Sequence, residues 1–477
     1  MDNVRILVEN YNANVETLTG ALRCGESFDL IVRRLHIHDN EMSFFYIDGF
    51  VKDSEMQRVM QTFLSLKELA DATYTMRRLP YTEVELCSEV GKLVLSVLSG
   101  QAVLLSETFG NEGIIIDLRT YPARETAEPD SDRVMQGAHD GFVETLIMNT
   151  ALIRRRIRDP RLTMAAYNLG GISATDVVVC YLDGVADNSF VEKIKKRLSS
   201  IRPRTLTLGF QSLAECLVDK GWWNPFPKIR TTERPDTAAA QLTEGSILVI
   251  CDTSPQVMIL PTTFFHYVEQ TDDYYFPPIT GTYLRIVRVA ILLFSVVITP
   301  LWYLYVRNPD ALPDTFRFLL PENSGALPIV FQLFLAEFAI DGLKIASMNT
   351  PDMLSNSLSI VGGLILGDFA VEVGWLCADV ILYMAFVAIA NFAQQNHELG
   401  YAFKFTRMLT LLLTWAFGIW GFAFGMAAFI FLVATNNTPF GRRYLYPLVP
   451  FDIKALSRIL IRHKKRDYEV GADGGVK

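Results

Sequence analysis

Up to about Tyr283 the chain alternates short apolar runs with dense acids and bases, whereas from Val289 to Ala434 long stretches carry almost no charge. The first pattern predicts small α/β elements and the second predicts helices suited to a bilayer. The expected fold class is therefore an α/β soluble N-terminal domain followed by an α-helical polytopic membrane domain.

The N-terminal half repeats itself. YIDGFVKDSEMQRVMQTF (Tyr46 to Phe63) and YLDGVADNSFVEKIKKRL (Tyr181 to Leu198) each read as a strand end, an Asp-Gly turn and an amphipathic helix. The first copy predicts a strand at Ser43 to Ile47, a cap at Asp53 or Ser54, and a buried stripe of Met56, Val59, Met60 and Phe63. In the second copy the strand is Val177 to Leu182, the cap Asn188 or Ser189, and the stripe Val191, Ile194 and Leu198. Two similar subdomains follow, 1–120 and 136–225, joined by a polar linker at 121–135 and followed by a pre-membrane segment at 226–283. Asp48 and Asp183 read as turn residues in preference to ligands. From Gly141 a helix is expected with Phe142, Leu146, Asn149 and Ile153 on one side. Its arginines, Arg154, Arg155, Arg156 and Arg158, suit either a helix end with surface pairing or a grip on acidic lipid or a neighbouring subunit. His36 and His38 lack a nearby third ligand and are taken as strand-face residues, so no metal and no cofactor is expected.

The membrane domain is expected at 284–435, with four spans. Val289 to Val306 is the first, flanked by Arg285 and Arg288 on its cytoplasmic side. Pro328 to Ala346 carries Glu337, Asp341 and Lys344 at i, i+4 and i+7, which fits an interfacial helix; alternatively its polar face turns into a bundle. Ser355, Ser359, Gly363 and Gly367 recur every four residues, a stripe that permits close helix approach or lines a narrow pore. Asp368 and Glu372 follow on one face. These two acids either reach headgroups or, with Glu337 and Asp341 and repeated around a ring of subunits, make a cation-attracting mouth. Val380 to Phe392 and Phe405 to Thr435 are the remaining spans, with Gly421 and Gly425 as close-packing positions in the last.

The tail, 436–477, holds Arg442, Arg443, Lys454, Arg458, Arg462, Lys464, Lys465 and Arg466, which predicts contact with anionic lipid and a cytosolic C-terminus. With no apolar leader in the first twenty-five residues, the N-terminus is placed in the cytosol too. A formal net charge of -8 without a basic stripe in the soluble half argues against nucleic acid. Six scattered cysteines without a CxxC read as reduced thiols. No nucleotide loop, HExxH or GxSxG occurs, so no enzyme activity is expected.

Several stretches resemble the GerA family, the A subunits of bacterial spore germinant receptors. QGAHDGFVETLIMNTALIRRRIRDPRL looks like its basic helix, TERPDTAAAQLTEGSILVICDTSP like its pre-membrane segment, and DDYYFPPITGTYLRIVRVAILL like the entry into its first span. Within the family, NPDALPDTFRFLLPENSGALPIVFQLFLAEFAIDGLKIA and LSIVGGLILGDFAVEVGW look closest to the stage V sporulation protein AF branch. The resemblance implies a spore inner-membrane germination protein with a homo-oligomeric, ion-conducting membrane domain. It also implies a pore helix from Ser355 to Trp375 with Val361 or a neighbour near the constriction. Permease-like and lipoprotein subunits are the partners it implies for receptor members. A non-conducting membrane scaffold in a receptor complex is the other reading.

Overall fold

A computed structural model describes residues 5–461 except 38, 67, 121–133, 219–222, 323, 351–361, 364–368, 395, 437 and 442. The chain divides into two units: Met1–Asp219 with Ile229–Thr262 and Lys465–Lys477, and Lys220–Lys228 with Thr263–Lys464.

The first unit holds two α/β halves of one plan. In the first, α1 (Tyr11–Leu22) leads into the hairpin β1 (Leu30–Ile37) and β2 (Asn40–Ile47). There follow α2 (Asp53–Ser65), α3 (Ala72–Arg78), β3 (Val84–Cys87), α4 (Val90–Leu98), β4 (Ala102–Ser106) and β5 (Gly113–Ile116). The second half runs α5 (Leu146–Arg156), β6 (Leu162–Leu169), β7 (Thr175–Leu182), α6 (Asn188–Ser200), α7 (Phe210–Leu217), β8 (Arg230–Thr232), α8 (Pro235–Thr243), β9 (Ile247–Cys251) and β10 (Val257–Leu260). The sheet orders are β1-β2-β4-β5-β3 and β6-β7-β9-β10-β8, antiparallel throughout.

Side chains alternate across a strand, and here both faces of the first sheet are covered. Phe45 and Ile47 pack with Val15 and Leu18 of α1 and Leu93 of α4. Phe44 and Met42 pack on the other face with Met56, Val59 and Phe63 of α2. Consecutive residues of β2 are therefore buried, as a strand sandwiched between helices requires.

The expected stripe of α2 is buried at Met56, Val59 and Phe63, with Met60 half-buried. Its N-cap is Lys52, without a side-chain cap bond, because Asp53 is already the first helical residue. In the second copy the cap is Asp187, one residue before the expected Asn188; its carboxylate accepts from the Ser189 amide at 2.9 Å. α5 starts at Leu146, not Gly141, because the Asn149 side chain clips the preceding chain instead: it donates to the Val143 carbonyl at 2.6 Å and accepts from the Val143 amide at 2.8 Å. Asn14 makes the same clip on Val8 at the same distances. The segment assigned from sequence as pre-membrane, 226–283, supplies β8, β9 and β10, so the second sheet is completed by it. β9 sits mid-sheet between β7 and β10, and the half would have no closed core without it.

The second unit is helical: α9 (Asp272–Tyr275), α10 (Pro278–Arg307), α11 (Ile329–Met348), α12 (Ala378–Phe392), α13 (His397–Phe417), α14 (Ile419–Thr435) and α15 (Ile453–Leu460). Among the described residues one helix, α10, is long and apolar enough to cross a membrane, and α12 and α14 are shorter apolar helices. The single span expected for Phe405 to Thr435 is instead a hairpin of α13 and α14. Gly418 breaks it at φ 62°, a left-handed value that glycine adopts without a Cβ penalty.

Candidate functional site

The helical unit concentrates its polar chemistry between α10, α11 and α13. On α11, Gln332, Leu333, Ala336 and Glu337 share the buried side, so the polar face of this helix is turned into the bundle. Glu337 meets Arg407, whose Nε donates to Oε1 at 2.8 Å and whose Nη1 donates to the Ser295 carbonyl of α10 at 3.2 Å. One turn earlier on α13, Lys404 lies 3.4 Å from Glu337 and also pairs with Asp341. Two acids face two bases. Charges in apolar surroundings carry a desolvation cost of several kcal/mol, and pairing offsets it only when the remaining polar atoms are also satisfied.

Thr406, Thr410 and Thr414 on the same buried side of α13 each donate to the carbonyl four residues earlier, at 2.7 to 2.8 Å. That leaves no hydroxyl hydrogen idle there. Gln332 joins two segments: its amide nitrogen donates to the carbonyls of Ser324 and Leu327, and its oxygen accepts from the Cys377 amide at the start of α12.

Asp341 and Lys404 also form part of the wall of a cleft with about 410 Å³ of open space, lined further by Lys344, Asn391, His397 and Tyr401. The Lys344 ammonium sits 4.8 Å from the centre of the Tyr401 ring, a cation–π contact.

Of the expected site residues, Glu337 and Asp341 are thus held by bases of the same chain. Glu372 lies exposed in a single helical turn, Ala370–Glu372, which Gly374 ends at φ 80°. A Cβ added at Gly363 meets open space, whereas one at Gly362 would press on Leu343 of α11. Ser355, Ser359, Val361, Gly367 and Asp368 lie outside the described residues, as does His38. At Gly425 an added Cβ would fall 2.6 Å from the Thr410 side chain, and at Gly421 it would overlap the Leu413 carbonyl. Both glycines let α14 lie against α13.

Sequence reading passed over Lys404 and Arg407. The signal was present: an arginine inside an apolar run implies an acid partner. Arg285 and Arg288, expected as charges flanking the first span, are buried on Asp273. Arg288 grips that carboxylate at 3.0 and 3.1 Å, and the Arg285 Nε reaches it at 3.1 Å.

In the first unit Arg154 is fully buried, so it grips neither lipid nor another subunit. It donates to both Asp29 carboxylate oxygens at 2.8 and 3.0 Å, and to the carbonyls of Asp159 and Leu162. Arg156 pairs with Asp140 at 2.6 Å. Asp48 and Asp183 stand in turns closed by Gly49 (φ 82°) and Gly184 (φ 77°). Burial pushes the Asp48 carboxyl above the ordinary carboxylate range, against the opposing bond from the Gly49 amide, and the charges of Asp53 and Asp29 add to the rise. Among the described residues no cluster of His, Cys, Asp and Glu has a metal-holding arrangement.

Comparison with known proteins bears on the whole chain. The family model described as Bacillus/Clostridium GerA spore germination protein matches residues 20–469. Stage V sporulation protein AF of Bacillus subtilis (strain 168) is 37% identical over 462 residues, 95% of this chain and 92% of that protein. Spore germination protein KA of the same organism is 26% identical, over 92% of this chain and 82% of its own. The crystal structure of the N-terminal domain of the A subunit of the Bacillus megaterium spore germinant receptor GerK3 matches with 24% identity and a TM-score of 0.43. It covers 55% of this chain and 98% of that one.

Proposed function

The chain belongs to the GerA spore germination family, and on that premise we propose that it is a ring-forming membrane subunit that conducts monovalent cations during germination. Its place is the spore inner membrane, with both chain ends cytosolic and other germination membrane proteins as partners. The observation that carries the membrane part is the polarity of the helical unit. Its buried charges, Glu337 and Arg407, point inward, while Phe294 on α10, Leu382 and Ile389 on α12, and Trp420, Phe424 and Phe431 on α14 lie bare on the outside. An exterior so apolar around a charged interior suits lipid or neighbouring copies.

For conduction, the Ser355, Ser359, Gly363 and Gly367 stripe would line the path, with Val361 near its narrowest point and Asp368 and Glu372 at its mouth. The test is the purified full chain in planar bilayers, with subunit number read by native mass spectrometry. A multimer with cation current is expected, and Asp368→Asn with Glu372→Gln lowers the current at unchanged assembly. A stable monomer removes the ring, and unchanged current in the double variant removes the acids.

One observation favours a second reading, a non-conducting scaffold in a receptor complex. Glu337 and Asp341 are matched by Arg407 and Lys404 within the chain, so they hold the bundle together and leave little field to draw cations. A scaffold co-purifies with other germination membrane proteins and never conducts in bilayers.

A further inference from the structure

Downstream of α14 the chain turns into α15, capped by Asp452, whose carboxylate accepts from the amides of Lys454 and Ala455 at 3.0 and 3.1 Å. Ile453, Leu456, Ile459 and Leu460 give this short helix its apolar positions, and Lys454 and Arg458, four apart in the sequence, are its bases. The apolar positions are not all covered: Phe451 and Ile453 are each 67% exposed, and Leu448, Val449 and Ile461 are exposed as well.

The depth of α15 is set by α10. The Arg285 guanidinium, in the second turn of that helix, donates to the Ile459 carbonyl at 2.7 Å and lies 4.8 Å from the centre of the Tyr274 ring. Around the same helix start Tyr274, Tyr275 and Tyr283 are exposed. Exposed tyrosines at the mouth of an apolar helix are the composition of a membrane–water interface. α15 therefore lies level with an aromatic girdle, with Ile453 and the flanking Phe451 and Ile461 bare and Leu456, Ile459 and Leu460 half-buried.

Charge then selects the partner. Between Tyr446 and Arg466 the sequence has six bases, Lys454, Arg458, Arg462, Lys464, Lys465 and Arg466, against one acid, Asp452, which is engaged in the cap. Apolar side chains combined with such an excess of bases match an anionic lipid surface, which takes the first into its acyl boundary and the second among its headgroups.

We infer that residues 447–461 are an interfacial seat for anionic lipid headgroups, tied to α10 through the Arg285 bond to Ile459. This rests on the membrane reading of the helical unit and is independent of conduction.

The test places a photoreactive benzoylphenylalanine at position 451 of the full chain in nanodiscs of mixed phosphatidylcholine and phosphatidylglycerol at low salt. Cross-links to lipid are expected, with phosphatidylglycerol enriched several-fold over its share. Lys454→Gln with Arg458→Gln should remove that enrichment, bringing capture of phosphatidylglycerol back close to its share, since bases near the surface are what attract the anionic headgroup. High salt should erase it in the unaltered chain, a control that needs no foldable variant. Cross-links to protein, lipid captured in proportion to composition, or no cross-link at all would overturn the inference. No ion gradient is applied, so a failure here leaves the channel reading standing, and a non-conducting protein gives the same cross-links.

Discussion

Arg154 shows how far a single side chain reaches in this molecule. Its guanidinium is enclosed between Asp29, Ser27 and two backbone carbonyls, and it ties the start of the first half to the second. Removing one member of a buried pair strands the other, at about 3–5 kcal/mol. Arg154→Ala is therefore expected to destabilise the first unit by that amount, whereas Arg154→Met with Asp29→Leu recovers much of the loss; denaturant unfolding reads both, and strictly additive effects would deny the coupling. Asp48 makes a pH-dependent case. Its raised carboxyl favours the folded state while protonated, an advantage present below the unfolded value near 4 and lost as pH rises through the folded value. Asp48→Asn should accordingly raise the melting temperature at pH 7 and leave it unchanged near pH 3. Equal gains at both pH values would assign the effect to something other than ionisation.

At the scale of elements, the α13–α14 hairpin rests on close approach. Gly425 stands against Thr410, and a leucine there has to push the helices apart, at about 1–3 kcal/mol for overpacking. Gly425→Leu is expected to lower the detergent-solubilised melting temperature, while the neighbouring exposed position Phe424→Leu changes little; the reverse order would show that the hairpin is not packed through this face. Legibility differed between elements for a stated reason. The stripe of α2 was readable because its period is local, but the split at Gly418 was not, since glycine is common in spanning helices and only its φ reveals a break. The α5 boundary failed likewise: Asn149 looked like one more helical position and serves to clip Val143.

For the whole molecule, the duplicated plan means that each sheet is shielded by helices and that the strand thiols Cys87, Cys180 and Cys251 lie buried. Burial pushes Cys24 up to about 11 and Cys251 up to about 12, so neither holds much thiolate at neutral pH. Thiol reagents at pH 7.5 should label Cys180 and Cys251 only at the rate of unfolding, read by mass spectrometry of digested protein; fast labelling of Cys251 would show that the second sheet opens locally. The repeat itself was visible in the sequence only at the two Asp-Gly turns and the helices after them. Its full extent, two five-stranded sheets in equivalent order, needed the structure, because topology outlasts residue identity.

The sequence by itself determined where charge gives way to apolar residues, that a strand–turn–helix unit occurs twice, and which family the chain resembles, since these depend on neighbours along the chain. Only the tertiary structure decided which charges are partners. Arg154 and Asp29 stand 125 residues apart, and Arg407 and Glu337 stand 70 apart. An arginine reads the same in sequence whether water or a buried carboxylate surrounds it, and the difference is made by folding alone.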